Sequence, residues 1–287
     1  MKKIVVFTLL LCLVLTLAAC GKVEITMQEL YDVGRTEAML KNRESVHIRS
    51  KIDGELWREI YLSKEYAYDH IPDEEFPWEQ FMTDEACYRY DAGSVLLYLF
   101  ITPDGVGNFA SERAEHYGAV ILGEDALGDT IESVTKKDGR ITVKSVCGQE
   151  ILAEFGVASA QFEYVLDAKT GEIISAISDY SYDDGAAFND ITEVTYDEEA
   201  PDMLKKFLGY VNQTENLRNV TVVSNHGTEK EESKSIKAPK GLIIGFEFGD
   251  DFENAVGFYT DAACTESYDP FADTDSDLTI YVKWTLS

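Results

Sequence analysis

The sequence predicts an α+β fold: an antiparallel meander covered by helices, followed by a small β module. Three observations lead there. Segments with period-two alternation recur, separated by short turn signals. Segments with helical period are few and do not alternate one for one with the strands, which excludes a doubly wound parallel sheet. After residue 211 the polar stretch NQTENLRN breaks the pattern, and a last group of strand-like segments follows.

The elements follow in order. Thr26, Met27, Gln28 and Glu29 read as a capping box. Met27, Leu30, Tyr31 and Ala38 then recur at roughly helical spacing until about Lys41. From Ser45 the period changes to two. Val46, Ile48, Ser50 and Ile52 alternate with His47, Arg49, Lys51 and Asp53, which puts His47 on the polar side. Asp53-Gly54 is a hairpin signal and ELWREIYL continues from it. The same grammar recurs around Ala92-Gly93, Asp138-Gly139 and Lys169-Thr170-Gly171, and DITEVTYD closes the series of nine or more strands. Two helices interrupt it, one near 108–117 and one in PDMLKKFLGYV, with Pro201 suited to a first turn. An open sheet of this kind exposes an apolar face, and helices on its concave side can cover it. Incomplete cover leaves an apolar cavity.

The final group holds NVTVVSN, GLIIGFEFG, AVGFYTD and DLTIYVKW. These are expected to form one β-grasp-like module over 217–287. The charged segment GTEKEESKSIKAPKG between the first two is expected to be a mobile loop.

The 287 residues are 45% hydrophobic, enough for a sizeable core. The formal charge of −28 excludes a phosphate backbone as partner and makes a basic membrane-binding patch unworkable. The front end supplies another route to a membrane. Lys2 and Lys3 precede an apolar run at 4–17, too short for a comfortable span, so 1–19 read as an export signal. Leu17, Ala18, Ala19 and Cys20, with Gly21 next, resemble the bacterial lipoprotein lipobox. That resemblance implies cleavage before Cys20, acylation of its thiol, a lipidated tether at 20–25, and residence on the extracytoplasmic face of a cell membrane. Two or more acyl chains, at about 0.8 kcal/mol per buried CH2, anchor firmly. Without Lys2 and Lys3 the balance is 23 basic against 53 acidic residues, or −30. Cys87, Cys147 and Cys264 remain, an odd and widely spaced set that is no disulfide framework.

The region 26–211 resembles the outer-membrane lipoprotein carrier type (LolA, LolB, LppX). The resemblance lies in an N-terminal helix leading into SVHIRSKIDGELWREIYLSKEYAY, a later YVLDAKTGEIISAI hairpin, and a close in VTYDEEAPDMLKKF. It implies an unclosed half-barrel plugged by helices, with acyl chains bound inside and no catalytic residue. The C-terminal end resembles the Listeria–Bacteroides, or internalin B-type, repeat. Phe258, Tyr259, Thr260 and Asp261 match its first phrase. Asp277, Leu278, Thr279, Tyr281, Lys283 and Trp284 match its closing strand. That likeness implies a cell-surface spacer or interaction module.

Little chemistry competes with this reading. Asp273, Asp275 and Asp277 start an EF-hand register, but Leu278 stands where glycine is needed and Trp284 where glutamate is needed. An acidic turn before a strand fits better. Gly105, Gly107 and Ala110 match a dinucleotide fingerprint without the βαβ setting that it requires. His47, His70, His116 and His226 are scattered, and neighbouring acids such as Glu74-Glu75 are expected by chance among 53. No catalytic residue, metal or cofactor is therefore expected. Phe76, Trp78 and Phe81 are either anchors for a long connection or aromatics at a cavity mouth. The expected function is non-enzymatic: a lipid-anchored protein that binds a lipid or other apolar ligand. The alternative is a surface adhesion protein with the half-barrel as scaffold, its partner another surface protein or a glycan.

Overall fold

A computed structural model describes residues 24–73, 77–91, 93–102, 105–118, 120–148, 152, 157–182, 184–248 and 256–284. The signal segment, Cys20 and Phe76 lie outside them. The elements in chain order are α1 Met27–Gly34, α2 Thr36–Met39, β1 Ser45–Ile52, β2 Glu55–Ser63, β3 Tyr66–Ile71, β4 Trp78–Thr83, β5 Cys87–Asp91, β6 Ser94–Thr102 and β7 Gly105–Val106. There follow α3 Ala110–His116, β8 Thr130–Lys137, β9 Arg140–Val146, β10 Val157–Asp167, β11 Ile173–Tyr182, β12 Ala187–Tyr196 and α4 Asp202–Val211. The last strands are β13 Leu217–Ser224, β14 Glu232–Pro239, β15 Ile243–Phe248, β16 Val256–Tyr259 and β17 Leu278–Trp284. No described helix is long and apolar enough to cross a membrane. The chain divides into two bodies: Met1–Val33 with Gly123–Phe188, and Gly34–Leu122 with Asn189–Ser287.

The first body is α1 with the antiparallel run β11-β10-β9-β8. Its capping box forms as expected: the Thr26 amide donates to Glu29 Oε2 at 2.8 Å, and the Glu29 amide donates to Thr26 Oγ1 at 3.2 Å. Asp138 and Gly139, at φ 51° and 76°, make the tight β8–β9 turn. Leu30, Val143, Tyr164, Leu166 and Ile173 are buried.

The second body carries the longer run, in the order β15-β6-β5-β4-β3-β2-β1-β12. All neighbours are antiparallel except β15 and β6. Register sorts its side chains into two faces, because directly paired residues share a face. One cross-strand row is His47, Tyr61, Tyr68, Phe81, Tyr88, Leu97 and Ile244, the aromatic face. The row of opposite parity is Val46, Leu62, Ala67, Met82, Cys87 and Tyr98, the aliphatic face.

Both faces are covered, which differs from the expected single concave cover. On the aromatic face, Phe207 of α4 is fully buried and stacks on Phe81 with ring centres 5.7 Å apart. Leu204 of α4, Val220 and Val222 of β13, and Ile280 and Val282 of β17 belong to the same core. On the aliphatic face, Phe109 before α3 packs with Met82, Cys87 and Phe100. The helices α3 and α4 thus lie on opposite sides, because the apolar strips of the strands face both ways.

Two further expectations are corrected. The strands of 217–287 do not form one self-contained module. β13, β14, β16 and β17 make a four-stranded sheet in the order β14-β13-β17-β16, while β15 pairs in parallel with β6 of the long sheet. The physical reason lies in β6, SVLLYLFIT, whose apolar edge would otherwise be open to pairing. Gly245 lies opposite Tyr98, and a Cβ there would sit 2.7 Å from the ring. Only glycine fits. The segment expected to be a mobile loop contains strand β14, paired with β13 from Leu217↔Pro239 to Ser224↔Glu232. Its charge is that of an exposed edge strand, with Ala238 turned inward and fully buried.

Candidate functional site: a pocket under two short helices

On the aliphatic face, α2 and α3 cover the ends of β2 and β3 incompletely. The space left between them is a pocket of about 460 Å³. Its floor is Leu62 and Ala67 on the strands, Leu40 after α2, and Tyr117 after α3. All four are buried. The Thr36 hydroxyl donates to the Tyr117 carbonyl and ties the two helices together. Ala114 of α3 lines the opening and is exposed. Arg35, Glu37, Lys41, Lys64 and Arg113 complete the lining. Arg113 donates to Asp84 at 2.7 Å and to the Lys64 carbonyl at 3.4 Å, which fixes its direction. Lys64 reaches Glu44 only at 3.7 Å, with both side chains well exposed.

Beneath α3, Asp69 is nearly fully buried. Arg58 grips it through two bonds of 3.0 and 2.9 Å, and His116 lies 3.7 Å away. Burial alone would raise the Asp69 carboxyl, but His116 and Arg58 hold it below the usual range. Beside it the buried Tyr117 hydroxyl has no hydrogen-bond partner, and burial pushes it well above its ordinary value.

Two other hollows are less suited to an apolar ligand. One of about 510 Å³, between the aromatic face, α4 and β14, mixes Tyr88, Leu97 and Leu99 with Glu85, Gln213 and Lys237. Another of about 760 Å³ lies around Leu56, Trp57 and Ile71 near the β1–β2 turn, with Asp53, Glu55 and Asp73 in its wall.

The strongest polar constellation lies on the aromatic face and was missed from the sequence. His47 is buried rather than on a solvent-facing side. Its Nε2 lies 2.7 Å from Glu59 and its Nδ1 lies 3.3 Å from Glu198. His70 stands 3.8 Å from Glu59. The bond to His47, helped by His70, drives the Glu59 carboxyl down to about 2. Both ring nitrogens of His47 already face carboxylates, and none of the three pockets described above is lined by it. Such a closed group stabilises charge but presents no free base to a substrate. Glu79, also buried, accepts from Tyr68 at 3.3 Å and from Lys206 at 3.4 Å.

Of the two readings of Phe76, Trp78 and Phe81, a lip at a cavity mouth is not supported by the two members that are described. Trp78 and Phe81 are three residues apart on β4 and point to opposite faces. Trp78 is half-buried under the Arg89 guanidinium at 4.8 Å. Phe81 is fully buried in the aromatic core, so it cannot stand at a mouth. The acidic turn before β17 uses its carboxylates internally. Asp273 accepts the Asp275 and Ser276 amides, both at 2.9 Å, and Asp277 accepts the Asn219 amide at 2.7 Å. Arg218, fully buried, holds the same turn by donating to the carbonyls of Asp273 and Leu242. Cys87, Cys147 and Cys264 are free thiols, and burial pushes that of Cys87 up to about 12.

No family model matches this sequence, and no curated protein matches it. Among solved structures, LprF from Mycobacterium bovis is similar at 14% identity with a TM-score of 0.32, over 63% of this chain and 97% of that one. A LolA superfamily protein from Nitrosomonas europaea is similar at 8% identity with a TM-score of 0.25, over 63% and 97%. At these scores the likeness carries no conclusion about this chain.

Proposed function

We propose that this chain is a non-enzymatic binding protein, held at the extracytoplasmic face of a membrane by a lipid on Cys20, and that the pocket under α2 and α3 takes an apolar ligand. The observation that carries the binding role is the floor of Leu40, Leu62, Ala67 and Tyr117 in a hollow of about 460 Å³. That volume lies within the range of about 300–1,000 Å³ typical of small-molecule sites. The lipobox supports the anchor, and the net charge of −28 opposes attachment to an anionic membrane surface by charge alone. The internalin-like phrase in β16 and β17 supports a surface setting. The shared core gives those strands a second role as cover for the aromatic face.

The test of the pocket uses a neutral polyene probe, the methyl ester of cis-parinaric acid. It should bind the wild-type protein saturably. Ala114→Trp places a ring over the opening from an exposed helical position and should abolish binding with an unchanged thermal melt. Undiminished binding to Ala114→Trp would sink the assignment. For the anchor, Cys20→Ala should release the protein from membranes and end labelling by a fatty-acid probe.

A further inference from the structure

We infer that the pocket selects an amphiphile with one acyl chain and an anionic head group, an inference that rests on the pocket being the ligand site. The chain as a whole has 25 basic and 53 acidic residues, so a charged residue taken at random is about twice as often acidic. The pocket reverses that balance. Four of its five charged lining residues are basic: Arg35, Lys41, Lys64 and Arg113, against Glu37 alone. They come from separate elements. Arg35 and Lys41 flank α2, Lys64 sits in the β2–β3 turn, and Arg113 is on α3. Cations reach that opening from three directions, with Asp84 beside Arg113 and Glu44 beside Lys64, and an anion arriving there meets the exposed lysines.

Floor and rim divide the labour. The floor is buried and apolar, and the lysines of the rim are exposed. An apolar tail would take the floor and a carboxylate or phosphate would meet the rim. Arg113 is committed to Asp84 and to the Lys64 carbonyl, so it acts as a positioning residue that holds the β2–β3 turn in place. Lys64 is the opposite case. Among the described residues its one ion pair within 4 Å is the exposed one to Glu44 at 3.7 Å, and such a pair is weak enough to be exchanged for a ligand anion. A volume of about 460 Å³ lies in the lower part of the range for small-molecule sites and favours one chain over two.

The experiment uses the full chain, as wild type and as Lys41→Gln, Lys64→Gln and the double variant. All are titrated with cis-parinaric acid and with its methyl ester, which share a chain and differ only in head charge. The acid is expected to bind wild type about tenfold more tightly than the ester. Each lysine removed should weaken the acid about threefold, or roughly 0.7 kcal/mol at 1.4 kcal/mol per decade, and leave the ester unchanged, so that the double variant binds acid and ester about equally. Displacement by oleate, by oleoyl lysophosphatidate and by neutral monooleoylglycerol then separates the head groups. A lead for oleate assigns a carboxylate, and a lead for the lysophosphatidate assigns a phosphate. Equal binding of acid and ester to wild type overturns the inference but leaves an apolar site standing, as does equal displacement by the neutral glyceride. Loss of both probes in the lysine variants also overturns it. Failure of the ester and the acid alike overturns the binding role itself.

Discussion

Replacing Phe207 by alanine tests whether α4 and the C-terminal strands share one core with the long sheet. The ring is fully buried. It stacks on Phe81 at 5.7 Å, tilts against Tyr68 at 6.0 Å and meets Tyr88 edge-on at 6.5 Å. Truncating a buried Phe costs about 3–5 kcal/mol, and aromatic pairs add about 0.5–1.5 kcal/mol each beyond burial. With three ring partners, a loss near the upper end, about 5 kcal/mol, is expected. Urea unfolding measures it globally. Cys87 gives a local reading, because it lies on the opposite face of the same sheet and is fully buried. In a Cys147→Ser, Cys264→Ser background, its reaction with a thiol reagent should rise in step with the loss of stability. A loss under about 1.5 kcal/mol, with Cys87 still protected, would show that α4 does not close this core.

Three further outcomes follow from the same geometry. Gly245→Val drives a side chain into the Tyr98 ring, where a Cβ would sit 2.7 Å away, and should detach β15 from β6. Hydrogen exchange across 94–102 should then rise, and unchanged protection would contradict the pairing. Deleting 217–287 removes Val220, Val222, Ile244, Ile280 and Val282 from the aromatic core, so the remainder should lose cooperative unfolding. A stably folded remainder that keeps ligand binding would refute a shared core. Glu59 is held at about 2, below its ordinary 4.5, by His47 and His70. A depressed carboxylate contributes stability above its unfolded value and loses it as pH falls through the folded one, here between about 4.5 and 2. The contribution is on the order of 3 kcal/mol. Wild type should lose more stability over that interval than Glu59→Gln, and equal losses would refute the coupling.

What the sequence made legible was local. The capping box of Thr26 and Glu29 formed, and Asp53-Gly54 adopted φ of 51° and 87° as a tight hairpin turn. The helix at Asp202–Val211 and the β1–β2 hairpin were legible from local pattern and turn residues. What escaped was non-local. Nothing within GLIIGFEFG says that its partner is β6, more than a hundred residues earlier. The charged ESKSIKAP reads as a loop because edge strands carry the same residues that loops do. Alternation placed His47 opposite Val46, which was right. It could not show that both faces are covered, so a polar residue on the second face was taken for a solvated one. The pocket has no local signature at all. Leu40, Leu62, Ala67 and Ala114 come from four places in the chain and meet only once the strands pair.

The most direct test of the binding role is a crystal structure of the full chain soaked with methyl 9,10-dibromostearate. Bromine density between Leu40, Leu62, Ala67 and Tyr117 is the expected result. Bromine confined to the hollow beside Tyr210 and Ile236, or no ordered bromine with the pocket filled by side chains, would contradict it.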